Sequence, residues 1–191
     1  MDELMKRQAE LQASAKRLLE ESKLLELLRK LGDPIRTGSS ITGLMVYPDI
    51  DFAVQTANPD VQVAIDLVPT FFKELTATEV KVTDFKASDS SQPAYYVGIV
   101  FPFNGESWHI DATITHPGPI VSNPPELDTW IENMTPEQRA TILALKKELI
   151  GATRYVGARS QPPFTFRSSH LYEGVIKGGA RTVEDLEKYF A

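Results

Sequence analysis

Leucines recur every seven residues near the N-terminus of the chain. The segment around them is rich in Glu, Lys, Ala and Gln, and it has no Gly or Pro before Gly32. This pattern predicts one long amphipathic helix over residues 1–31. Because Gln8 and Ser22 interrupt the apolar seam, we expect the helix to dock against its own domain rather than to pair with a partner helix. The heptad leucines are Leu4, Leu11, Leu18 and Leu25.

Alternating polar and apolar residues dominate the middle of the chain. They predict strands at "IRTG" and "DIDFAVQT", with a short helix over "SITGLMV" between them, and three later strands at "TEVKVTDF", "AYYVGIVFPF" and "SWHIDATITH". The dipeptide Asn104-Gly105 separates the last two runs and is a strong hairpin signal. We therefore expect a mixed sheet that ends in an antiparallel meander.

A further helix is predicted between the second and third strands. Its apolar residues Val61, Ile65, Val68 and Phe72 share one helical face. Pro69 lies within this segment, and its missing N–H group predicts a kink or an interruption of the helix.

Helical patterns replace strand patterns beyond Pro117. Thr135-Pro136-Glu137-Gln138 combines a capping hydroxyl, a proline at the first helical position and a glutamine placed to reach back, and Gly151 stands where that helix should stop. Shorter helices are predicted on either side of it. We predict an α+β chain with an N-terminal helix over residues 1–31, a core domain over 32–117 and a C-terminal helical region over 118–191 that packs on the core. The Pro-rich stretch "HPGPIVSNPPE" marks the boundary.

Composition excludes several classes of function. The sequence has no cysteine, which removes disulfides and thiolate chemistry and favours a hard, oxygen-binding metal ion if any metal is used. A formal net charge of −6 argues against a broad electrostatic grip on an extended nucleic acid. No apolar run has membrane-spanning length, and the N-terminus is charged where a secretory signal would be apolar, so we expect a cytoplasmic protein with no membrane contact.

Two aspartates, Asp49 and Asp51, are separated by one apolar residue on the predicted strand "DIDFAVQT". Since side chains alternate along a strand, both carboxylates project to one face, where they repel each other unless a cation neutralises them. Asp111 occupies a similar position in the strand "SWHIDATITH". Three carboxylates on one sheet face would form a Mg²⁺ site, while a solvent-facing sheet that happens to carry acidic residues is the alternative interpretation.

A Gly-Ser turn precedes the acidic strand. Gly38 has no Cβ, so a phosphate can approach its backbone, and the hydroxyls of Ser39 and Ser40 can donate to phosphate oxygens. The alternative is a serine that caps a helix and binds no ligand.

These residues together resemble the signature of the nucleotidyltransferase superfamily with a DNA polymerase beta-like fold, as seen in its small prokaryotic members. The resemblance rests on Gly38-Ser39, nine intervening residues, Asp49-Ile50-Asp51-Phe52 and the later Ile110-Asp111-Ala112. It implies a mixed sheet flanked by helices and two Mg²⁺ ions. It also implies transfer of a nucleoside monophosphate from an NTP, ATP among them, to a hydroxyl-type acceptor with release of pyrophosphate.

The resemblance also implies roles for individual residues. Asp49, Asp51 and Asp111 would hold the metals and form the catalytic site, and the Gly38-Ser39-Ser40 turn would contact the triphosphate. The acceptor would be a small molecule or a protein. A second hypothesis is a non-catalytic module that binds NTPs as a sensor, or that acts as partner of another protein through its leucine stripe. The sequence leaves the base preference, the acceptor and the oligomeric state open.

Overall fold

This computed structural model describes residues 2–85, 92–120, 125–156 and 160–191, and these residues form helices and five strands. The helices within this part of the chain are α1 (Asp2–Glu21), α2 (Leu24–Leu28), α3 (Ser39–Thr42), α4 (Val61–Glu74), α5 (Leu127–Glu132), α6 (Pro136–Gly151), α7 (Ser168–Ile176) and α8 (Val183–Phe190). The strands are β1 (Asp33–Thr37), β2 (Asp49–Gln55), β3 (Glu79–Asp84), β4 (Tyr95–Phe103) and β5 (Glu106–Thr115).

The chain divides into two compact units. The sheet unit comprises Ala9–Ile120, and the helical unit comprises Met1–Gln8 together with Val121–Ala191. Residues 121–124, which belong to the Pro-rich stretch predicted as a boundary, lie outside the described residues. Among the described helices, none combines the length and the apolar character needed to cross a membrane.

The sheet has the order β1-β2-β5-β4-β3. Strands β2 and β5 pair in parallel, and all the other neighbours pair antiparallel, so β3, β4 and β5 form a meander. The predicted α+β fold with a mixed sheet is confirmed. The parallel pair places side by side two strands that are distant in sequence.

The predicted hairpin between β4 and β5 is also confirmed. Phe103 pairs with Glu106, so Asn104 and Gly105 form a two-residue loop. Both loop residues have positive φ, 50° and 79°, which is the requirement of the type I′ turn that suits twisted strands.

The two faces of the sheet differ in chemistry. Ile50, Phe52 and Val54 of β2 project into the hydrophobic core, and Ile110 of β5 joins them. Residues between them in sequence, Asp51 among them, point to the other face, as the alternation of a strand requires. The core therefore takes one face of the central strands and leaves the acidic residues on the opposite face.

Helix α1 contributes two leucines of its stripe to this core. Leu11 and Leu18 are fully buried in the same cluster as the apolar side chains of β2 and β5. The expectation that the stripe docks against its own domain is confirmed for these residues. Burying a leucine side chain contributes about 1.5–3 kcal/mol, which explains why the stripe is used inside the chain.

The N-terminal segment is not one helix as predicted. Helix α1 ends at Glu21 and α2 begins at Leu24. The hydroxyl oxygen of Ser22 accepts a hydrogen bond from the N–H group of Leu24 at 3.3 Å. Serine offers the backbone this alternative to continued helix, which accounts for the break at a position where the sequence shows no Gly or Pro.

Helix α4 corrects a second expectation. Pro69 lies inside it, yet the helix continues to Glu74, since the proline removes a single backbone donor and the other helical bonds remain. Of the predicted kink or interruption, the interruption is wrong and the kink stays a prediction. Two residues of the predicted apolar face, Ile65 and Phe72, are 47% and 45% exposed. The residues of α4 that are buried are their neighbours Ala64 and Phe71.

In the helical unit, the predicted capping box of α6 is confirmed. The N–H group of Gln138 donates to the Thr135 hydroxyl at 3.2 Å, and the Gln138 side chain accepts from the Thr135 N–H at 2.9 Å. Pro136 occupies the first helical turn, as predicted. Two N–H groups that would otherwise lack helical partners are thus satisfied.

Replacing Thr135 with alanine should lower the free energy of unfolding by about 1 kcal/mol, because the cap hydroxyl is lost. Denaturant unfolding followed by circular dichroism measures the change. Thr135→Ser keeps the hydroxyl and serves as control, with an expected change of a few tenths of a kcal/mol. Equal losses in the two variants would show that the hydroxyl does not stabilise α6.

Candidate active site

The three predicted carboxylates meet on the polar face of the sheet. Asp49 and Asp51 lie on β2, and Asp111 lies on β5 directly opposite Asp51 in the parallel register. One carboxylate oxygen from each residue can be chosen so that all three lie within 4.8 Å of one another. Two residues of one strand and one residue of its neighbour are enough to form the cluster, because side chains two apart on a strand share a face.

Burial of these charges favours a cation. Asp49 is only 7% exposed, and Asp51 and Asp111 are partly buried. Removing a carboxylate from water is costly unless it is paired with a positive charge or well hydrogen-bonded. Clustering three of them raises this cost further, so the arrangement is typical of a site built to hold a metal ion.

The donor set fits Mg²⁺. All three groups are carboxylates, which are hard oxygen ligands. Oxygens bound to one octahedral Mg²⁺ lie about 3 to 4 Å apart, so small side-chain rotations would close this cluster around an ion. Asp49, Asp51 and Asp111 are the residues that would hold it.

Gly38 lies beside this cluster at the start of α3. Its φ of 68° and ψ of −156° fall in a region that essentially only glycine adopts. A Cβ atom at this position would lie 2.7 Å from Cγ of Asp51 and still closer to one of its carboxylate oxygens. The sequence suggested that Gly38 makes room for a phosphate. The structure adds that it makes room for the Asp51 carboxylate.

The two serines after Gly38 are buried and take part in the turn. The Ser40 hydroxyl donates to the carbonyl of Thr37 at 3.2 Å, and the carbonyl of Ser39 accepts from the side-chain amide of Gln12 on α1 at 3.2 Å. These bonds fix the turn against β1 and α1. Contact of Gly38, Ser39 and Ser40 with a triphosphate stays a prediction.

Tyr96 is a residue of the site that the sequence did not reveal. It lies on β4, and its hydroxyl donates a hydrogen bond to Oδ1 of Asp111. Burial raises the pKa of Tyr96, and the hydrogen bond to Asp111 raises it further, so the hydroxyl is a protonated donor at neutral pH. The strand alternation of "AYYVG" places Tyr96 on the face opposite the buried Tyr95. Only the pairing of β4 with β5 shows what Tyr96 reaches.

The sequence matches no family model and no curated protein. Solved structures share its fold. A structure of a non-canonical poly(A) polymerase complex, GLD-2–GLD-3, superposes with a TM-score of 0.51 at 17% identity over 92% of this chain. A structure of a cytoplasmic RNA terminal U-transferase superposes with a TM-score of 0.50 at 16% identity, also over 92%. The chain spans 58% and 51% of the length of those two chains.

Proposed function

We propose that this chain, which has the fold of the nucleotidyltransferases, transfers a nucleoside monophosphate from an NTP to a hydroxyl acceptor and releases pyrophosphate. The observation that carries the proposal is the cluster of Asp49, Asp51 and Asp111. One fold can host many functions, so the carboxylate site supports this proposal more than the architecture does.

The protein takes little direct part in the making and breaking of bonds in this reaction. The acceptor oxygen forms a bond to the α-phosphorus of the NTP, and the bond from that phosphorus to the bridging oxygen of pyrophosphate breaks. We assign Asp49, Asp51 and Asp111 to hold two Mg²⁺ ions. When bound, the ions neutralise charge on the triphosphate and on the attacking and leaving oxygens.

We propose two further roles for residues of the site. We propose that Asp111 accepts the proton of the acceptor hydroxyl, because a carboxylate at the site can act as general base. We assign Gly38 and Ser39 to the triphosphate, because their turn lies beside Asp51 and helix starts bind phosphate through free N–H groups.

The acceptor is a small molecule or a protein in this proposal. The formal net charge of −6 disfavours a long nucleic acid held by electrostatics alone. The two structures with the same fold are described as a poly(A) polymerase complex and an RNA terminal transferase, so a short RNA with a free 3′ hydroxyl belongs in any acceptor test.

The test is release of pyrophosphate from each of the four NTPs with Mg²⁺ across a panel of acceptors. The panel contains hydroxylated small molecules, candidate proteins and a short RNA, and α-phosphate-labelled NTP identifies which acceptor gains the label. We expect Mg²⁺-dependent release and transfer of label to one class of acceptor. Clear NTP binding without release for any acceptor would contradict the proposal and favour the sensor hypothesis.

A further inference from the structure

Tyr96 and Gly98 form an arrangement on β4 that faces the carboxylate cluster. The two residues are two apart and share the polar face of the sheet. Gly98 lies directly opposite Asp111 in the antiparallel register of β4 and β5. The residue across from Asp111 therefore has no side chain, and the neighbouring residue on the same face is a tyrosine.

The ring of Tyr96 fills the space over Gly98. A Cβ atom at Gly98 would lie 3.0 Å from Cε1 and Cζ of Tyr96, and closer still to the Tyr96 hydroxyl. A glycine inside a strand weakens it, so its presence here indicates a close approach of another group. The absent side chain lets the tyrosine lie along the strand and reach the cross-strand aspartate.

We propose that Tyr96 is a positioning residue that orients the carboxylate of Asp111 toward Asp49 and Asp51, with Gly98 providing the space for its ring. The inference rests on the proposed function in one respect, because it takes Asp111 as a metal ligand. The hydroxyl of Tyr96 donates to Oδ1 of Asp111 and thereby fixes the rotation of the carboxylate, while the second oxygen makes no part of this bond. Mutation of a residue that hydrogen-bonds a metal-ligating side chain typically lowers metal affinity or activity by about 10–100-fold.

Tyr95 supplies a matched comparison. It is the neighbouring tyrosine on the same strand, but it points into the core and is almost fully buried. Tyr95→Phe therefore removes the same atom from the opposite face. A general effect of losing a tyrosine hydroxyl would appear in both variants, and an effect on the carboxylate cluster would appear only in Tyr96→Phe.

The experiment is a calorimetric titration of Mg²⁺ into the full chain and its variants, with thermal unfolding recorded for each. We expect Tyr96→Phe to weaken Mg²⁺ binding about tenfold or more, and Tyr95→Phe to bind within twofold of the original chain. Gly98→Ala should weaken binding as much as Tyr96→Phe, because the added methyl displaces the ring. The double variant Tyr96→Phe/Gly98→Ala should bind Mg²⁺ no more weakly than the single variant with the lower affinity, since both changes remove the same contact.

Some outcomes overturn the inference. Tyr96→Phe that binds Mg²⁺ within twofold of the original chain contradicts it, and so does a loss of equal size in Tyr95→Phe. A measurement of pyrophosphate release distinguishes failure of the proposed function from failure of the positioning role. If the original chain releases no pyrophosphate but Tyr96→Phe weakens its Mg²⁺ binding, the positioning role of Tyr96 is supported and the proposed nucleotidyl transfer is refuted. A chain that binds no Mg²⁺ at all refutes both.

Discussion

Replacing Asp51 with asparagine should reduce Mg²⁺-dependent pyrophosphate release by about 10³-fold. The substitution keeps the size of the side chain and removes its charge, so the cluster loses one of its three anionic ligands. Stabilisation of charge by a bound metal is worth several kcal/mol, and each 1.36 kcal/mol changes a rate about tenfold. Asp49→Asn should behave alike, because Asp49 lies on the same face of β2 and is the most buried of the three.

Stability separates this effect from unfolding. Removing one of three neighbouring negative charges relieves their repulsion, so thermal stability without metal should be unchanged or higher. Asp33→Asn is the matched control, since Asp33 is an exposed aspartate on β1 and pairs with Gln55 at the far end of the strand from the site. We expect it to keep full activity. If Asp51→Asn still releases pyrophosphate and binds Mg²⁺ like the original chain, the cluster is not the metal site.

Replacing Gly38 with alanine should also abolish most of the activity. The new Cβ would collide with the Asp51 carboxylate, lying 2.7 Å from its Cγ, so the carboxylate must leave its place in the cluster. The backbone adds a second cost, because alanine in this conformation loses about 1–3 kcal/mol of stability. Pyrophosphate release, Mg²⁺ affinity and the free energy of unfolding together measure both effects.

Gly105→Ala distinguishes backbone strain from displacement of Asp51. Gly105 has a φ of 79° at the tip of the β4–β5 hairpin, and among the described residues beyond its two chain neighbours no atom lies within 4 Å of where its Cβ would stand. Alanine there should cost about 1–2 kcal/mol of stability without touching the cluster. We expect normal activity at a temperature where this variant is folded. Comparable activity of Gly38→Ala and Gly105→Ala would refute the role of Gly38 in seating Asp51.

Much of the sheet unit could be predicted from local pattern. Alternation identified β2 and β5, and the Asn104-Gly105 signal identified the hairpin, because strand pleat and turn conformation depend on neighbouring residues alone. The capping box of α6 was readable for the same reason. The acidic pair Asp49 and Asp51 belongs to this group, since two residues on one strand must share a face.

Other features depended on weaker or competing local signals and were predicted incorrectly. Ser22 breaks the apolar seam in the sequence, but the local pattern does not show that its hydroxyl also ends α1. Pro69 predicts a kink or an interruption of α4, yet the helix is not interrupted, because the remaining backbone bonds and the burial of Phe71 hold it. In both places the outcome depends on how a small local cost compares with packing that the sequence does not display.

By itself the sequence determined that two carboxylates share a face of β2, that a glycine turn precedes them, and that the whole resembles a nucleotidyltransferase. The tertiary structure alone decided that Asp111 lies opposite Asp51, that Gly38 makes room for a carboxylate, and that Tyr96 reaches Asp111 over Gly98. The physical reason is the range of the interactions. Pleat and turn geometry act between adjacent residues, whereas strand register joins residues 60 apart such as Asp51 and Asp111, and only the folded sheet fixes it.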